Sequence, residues 1–99
     1  MMTIPLESTP AQVLTVTLAG QLCQITLRQK STGVYLDLSV LNKPLLYSAL
    51  CLDRIMIVRS AYLGFIGSLV MVDTRGTTNP DYTGFGARYQ LIYLETTDL

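Results

Sequence analysis

Val13-Leu14-Thr15-Val16-Thr17-Leu18-Ala19-Gly20-Gln21-Leu22-Cys23-Gln24-Ile25-Thr26-Leu27-Arg28 alternates almost without a break. Leu14, Val16 and Leu18 point one way, and Val13, Thr15 and Thr17 point the other. A period of two with β-branched residues is the pattern of a half-buried strand. Ala19-Gly20 interrupts it, and Gly20 supplies the positive φ of a tight hairpin turn. The chain returns from Gln21 to Arg28 with Cys23, Ile25 and Leu27 on the apolar face and Gln24, Thr26 and Arg28 facing outward.

The same reading extends along the chain. Gln29 to Gly33 is a polar turn. Val34, Leu36, Leu38 and Val40 alternate with Tyr35, Asp37 and Ser39. Asn42-Lys43-Pro44 breaks the run, because proline fixes φ and lacks a donor. Leu45 to Leu52 fits a buried strand or a short helix, and its length and the Pro44 boundary favour the strand. Asp53-Arg54 reads as a turn and Ile55 to Val58 as a short strand. Arg59 to Ser68 (RSAYLGFIGS) carries Gly64 and Gly67, each costing a helix about 1 kcal/mol relative to alanine, so it reads as an irregular apolar loop. Leu69 to Val72 is a strand. Asp73 to Gly86 is a long polar loop. Ala87 to Leu94 is the last strand, with Tyr89, Leu91 and Tyr93 on one face. Nothing shows a helical stripe at i, i+3, i+4, i+7. The expectation is one all-β domain over residues 1–99: a compact antiparallel β-barrel or sandwich of about seven strands with little or no helix.

Composition narrows the function classes. Seven basic and seven acidic residues give a formal net charge of zero, and Arg28, Lys30, Lys43, Arg54, Arg59, Arg75 and Arg88 are scattered. Nucleic acid is recruited by clustered Lys and Arg, so no nucleic-acid partner is expected. Charged residues make up 14% of the chain, against about 25% in an average domain. An uncharged, partly apolar surface points to contacts with partners. The N-terminal MMTIPLESTP lacks the basic and apolar regions of a signal peptide. The uncharged run from Ser60 to Val72 has 13 residues, too few for a spanning helix of about 20. No membrane partner is expected.

Catalytic chemistry finds little support. The chain has no histidine, so Ser–His and Cys–His pairs are impossible within it. Asp73 and Asp81 flank the long loop and are the one conceivable carboxylate pair; as solvated turn residues they need no further role. DTRGTTNPD has no EF-hand spacing, and the glycine of TRGTT is no phosphate cradle. Cys23 and Cys51 have no metal-type spacing, and one chain lacks the four ligands of a structural zinc site. They read as small buried hydrophobes, and a disulfide is not favoured. No enzyme activity, cofactor or metal is expected. Tyr62 and Phe65 in one loop, and Tyr82 and Phe85 in the other, have two readings. They form a contact patch, or they fold inward and seal the ends of the domain; both can hold together.

Several motifs in order resemble one family. They are Ile4-Pro5-Leu6, Pro10-Ala11-Gln12, the hairpin LTVTLAGQLCQITLRQ and Gly33-Val34-Tyr35-Leu36-Asp37-Leu38. Tyr62-Leu63-Gly64-Phe65, Gly67-Ser68-Leu69, Asn79-Pro80-Asp81-Tyr82 and Phe85-Gly86 complete the series. Together they resemble the phage baseplate plug family, small structural proteins of contractile-tailed phages and prophages. The resemblance spans nearly the whole chain; Cys23 departs from it, standing where an aromatic or polar residue is expected. It implies a virion protein of the tail baseplate, made in the bacterial cytoplasm, that plugs or connects the central hub through protein–protein contacts. The implied partners are the baseplate hub or other tail proteins, with a monomer or weak homo-oligomer in isolation. The implied contact residues are Ile4, Pro5, Leu6, Tyr62, Leu63, Phe65, Asp81, Tyr82 and Phe85. The rival reading is a small β-barrel module that binds a carbohydrate or peptide.

Overall fold

The computed structural model describes residues 2–57 and 65–95. Among these residues seven strands run in chain order: β1 (Met2–Ile4), β2 (Ala11–Leu18), β3 (Gln21–Lys30), β4 (Gly33–Val40), β5 (Lys43–Cys51), β6 (Ser68–Asp73) and β7 (Tyr89–Leu94). They form two antiparallel sheets, ordered β2-β3-β4-β5 and β1-β7-β6. The all-β expectation holds, and two separate sheets make the domain a sandwich.

Hairpin chemistry builds the larger sheet. Ala19 and Gly20 both take positive φ, 50° and 77°, the requirement of a two-residue turn whose twist matches the strands. Leu18 then faces Gln21, and the register continues to Ala11 opposite Arg28. Leu41 and Asn42 repeat the device, with φ of 51° and 65°. The break expected at Asn42-Lys43-Pro44 is therefore shorter, as is the turn expected over Gln29 to Gly33, where Gln29 and Lys30 end β3 and Gly33 opens β4. Lys43 and Pro44 already belong to β5, an edge strand where a missing donor is tolerated.

Residues 45–52 lie in or just beyond β5, so they form a strand as expected, but one at the sheet edge with only Cys51 buried, and the strand is not regular. Its pairing with β4 shifts register on both sides of Leu38, and Ser48 has a φ of 53°. The cause is Asp37. Its carboxylate accepts the Ser48 amide at 2.6 Å and the Arg28 guanidinium at 2.9 and 3.1 Å. A side chain thus takes the place of a ladder partner.

The short strand expected at Ile55 to Val58 does not form over its described part, residues 55–57. Arg54 turns the chain at a φ of 59°. Residues 53–57 instead follow β6 irregularly, through Arg54 N–H to Met71 C=O at 2.8 Å and Ile57 N–H to Leu69 C=O at 2.7 Å. β7 starts at Tyr89 and not at Ala87, because the Ala87 and Arg88 amides turn back to the Gly84 carbonyl. The Asp73 to Gly86 loop contains one 3-10 turn, Tyr82–Gly84.

The inward residues of both sheets join one apolar cluster. Ile25, Leu27, Leu36 and Leu38 come from the larger sheet, and Leu69, Met71, Leu91 and Tyr93 from the smaller. Cys23 and Cys51 are buried and free. They face Val40 and Val34, at opposite ends of β4, about 20 Å apart at strand rise. Burial raises both thiol pKa values, that of Cys51 to about 12.

Candidate contact surface

At each end of the sandwich one glutamine of β3 ties a connecting segment. At the hairpin end, the Gln21 side chain donates to the Ile66 carbonyl at 3.2 Å and accepts from the Ile66 amide at 3.0 Å. At the other end, Gln29 accepts from the Tyr82 amide at 3.1 Å. The glutamines are eight residues apart, about 25 Å along a strand. Ile66 and Tyr82, one from each of the two aromatic segments singled out in the sequence, are therefore held at opposite ends; of the segment Arg59 to Ser68, residues 59–64 lie outside the described residues.

At the Gln29 end the N-terminal arm meets the 3-10 turn. Ser8 Oγ donates to the Tyr82 carbonyl at 3.0 Å. Gln12 holds the arm by accepting from the Glu7 amide at 3.1 Å and donating to the Glu7 carbonyl at 2.7 Å. A Cβ on Gly86 would lie 2.7 Å from the Leu6 carbonyl, so glycine lets the two segments touch. Asp81 starts the turn. Its carboxylate accepts from the Thr83 hydroxyl at 2.7 Å and the Thr83 amide at 3.0 Å, and these bonds hold its pKa below the ordinary value.

Asp73 anchors the start of the same loop. It is fully buried and receives Arg88 through Nε and Nη2 at 2.8 and 2.9 Å, with the Arg75 and Thr78 amides and the Thr78 hydroxyl. The Arg88 bonds first, and the other donors after them, hold its pKa far below the usual carboxylate range against the opposing effect of burial. Reading Asp73 as a solvated turn residue was thus mistaken: its acceptors are saturated by the loop that it organises. Among the described residues, no three His, Cys, Asp or Glu side chains gather to hold a metal ion.

The structure divides the expected contact residues. Pro5 and Asp81 are exposed, and Leu6 and Tyr82 half-buried, all at the Gln29 end. Ile4, Phe65 and Phe85 are core residues. Ile4 pairs with Leu91 through β1. Phe65 meets Tyr93 edge to face at 5.9 Å, and Tyr93 Oη donates to the Ile66 carbonyl. Inward packing therefore describes the two phenylalanines. Tyr62 and Leu63 lie outside the described residues.

A second surface lies on the larger sheet. On the outer face of the larger sheet Val13 is 61% exposed and Tyr47 79%. Arg28 stacks on Tyr47 at 5.5 Å while it pairs with Asp37, so the face is aromatic, threonine-rich and locally neutral. Exposed Leu22 and Leu50 continue it. The outward alternation of Val13, Thr15 and Thr17 and the low charge fraction were its signals in the sequence.

A family model described as cyanophage baseplate Pam3 plug gp18 matches residues 1–96. No curated protein matches the chain.

Proposed function

The chain belongs to the baseplate plug family of that match, and from this membership we propose that it is a structural part of a phage tail baseplate, joining the central hub through protein–protein contacts. The observation that carries the reading is the match itself, which runs through every motif of the resemblance. The fold is compatible with such a role. The arm and the Tyr82 turn are tied by Ser8, Gln12, Gln29 and Asp81 at one end of the sandwich, so they offer a preformed surface that loses little entropy on docking.

We assign the hub contact to the Gln29 end. There Pro5, Leu6, Asp81 and Tyr82 converge from two segments 70 or more residues apart in the chain, and the arm and turn are held by side-chain hydrogen bonds. The test is a pull-down with the tail proteins encoded beside this one. Wild-type protein is expected to retain a hub protein, and Pro5→Arg with Asp81→Arg to lose it while staying folded. A folded wild type that retains none of them refutes the role. Retention unchanged by the two substitutions refutes the assignment of the surface.

A further inference from the structure

Among the described residues the two sheets have four edges, and three are protected in ways that prevent strand addition. β1 is only three residues long. β6 is followed along its free side by residues 53–57, bonded at Met71 and Leu69. β5 carries Lys43, Pro44, two register shifts and a left-handed Ser48. β2 has none of these devices. It is eight residues long, unbroken in register, and lacks proline. From Ser8 to Leu27 the chain has no charged residue at all.

The open groups on this edge can be named. Gln29 N–H bonds the Pro10 carbonyl at 2.7 Å, and bonded and unbonded pairs alternate from there along an antiparallel ladder. Gln12, Leu14, Val16 and Leu18 therefore exchange bonds with β3. The N–H and C=O groups of Val13, Thr15 and Thr17 point away from β3, where they meet no partner among the described residues.

We propose that this edge receives β2 of a second copy of the chain, antiparallel and centred on Thr15, so that the larger sheet continues across two subunits. The register follows from the pattern. Thr15 faces Thr15 of the other copy, and Val13 faces Thr17, each pair exchanging both backbone bonds. Leu14 faces Val16, and their half-buried side chains cover one another across the axis. Threonine pairs and β-branched pairs are favourable opposite neighbours, and no like charges meet. A two-fold axis makes the same edge serve both copies. The pairing does not depend on the baseplate role.

Cysteine at the axis tests it. Bonded antiparallel pairs have Cα atoms about 5.5 Å apart, within disulfide range, while the native thiols are buried. Thr15→Cys is expected to give a covalent dimer under mild oxidation. Gln24→Cys, exposed on the same face one strand inward, is expected not to. In sedimentation, wild type should dimerise with concentration. Thr15→Lys and Thr15→Glu should each be folded monomers by circular dichroism, and mixing the two should restore the dimer. Wild type that stays monomeric at every concentration overturns the proposal. So does a Thr15→Cys yield no higher than that of Gln24→Cys, or a dimer that Thr15→Lys leaves intact. A monomer that pairs only with a different tail protein also overturns it.

Discussion

Replacing Gly67 by alanine isolates the packing of the loop that precedes β6. Gly67 has a φ of 93°, and an added Cβ would lie 2.3 Å from the Leu94 carbonyl and 2.7 to 2.8 Å from the Tyr93 phenol. Neither neighbour has room to retreat. Leu94 is paired with Ser68 in the ladder, and Tyr93 is buried against Phe65 with its hydroxyl bonded to Ile66. Gly20 is the matched control: its φ is 77°, and nothing lies within 4 Å of its missing Cβ. Both substitutions carry the left-handed backbone penalty, about 1–2 kcal/mol. Gly67→Ala adds an overpacking cost of about 1–3 kcal/mol. The expected loss is therefore about 1–2 kcal/mol for Gly20→Ala and about 2–5 kcal/mol for Gly67→Ala. For a domain of this size each kcal/mol lowers Tm by about 4–8 °C. Urea unfolding with unchanged m-values gives the comparison directly. Equal destabilisation by the two, or a milder Gly67→Ala, would refute the described packing of the loop on β7.

Asp73→Asn should lower Tm at neutral pH, because Arg88 loses its charged partner. The wild-type carboxylate has a folded pKa held below its unfolded value, so its contribution is present above about pH 4 and is lost as pH falls further. The Tm gap between wild type and Asp73→Asn should therefore narrow below pH 4; a gap constant down to pH 2 would contradict the Asp73 network. Leu36→Ala, at a fully buried position facing Leu27, should cost about 2–5 kcal/mol in urea unfolding. A thiol reagent at pH 8 should find neither cysteine in the folded protein and both after guanidinium unfolding, since burial raises both thiol pKa values. Tyr47→Ala, at a position 79% exposed, should leave Tm within a few degrees, as surface changes usually fall within about 0.5 kcal/mol.

Strands that bury one face were readable because their side chains obey a single period. β2, β3, β4 and β7 all show it, and Ala19-Gly20 marks its own turn. Legibility fails where a side chain replaces the backbone as partner. Asp37 bends β5 by accepting the Ser48 amide. Arg54 reaches the Gly76 and Asp73 carbonyls, and residues 53–57 become an irregular companion of β6. Neither event leaves a mark in the hydrophobic pattern. The contact surface was harder still. Gln29 and Tyr82 are 53 residues apart, and nothing local pairs a strand glutamine with a distant amide. Asp73 misled because a carboxylate in a glycine-rich polar run has the composition of a solvated turn, and only the position of Arg88 after folding buries it. Phe65 and Phe85 had two readings in sequence, since an aromatic ring in a loop serves a core and an interface equally well.

Labelling purified tails with an antibody to this chain, viewed by electron microscopy, tests the baseplate role most directly. Label confined to the distal end of the tail, retained in baseplates stripped of sheath and tube, is the predicted result. Intact, infectious tails that carry no copy of the chain would contradict it.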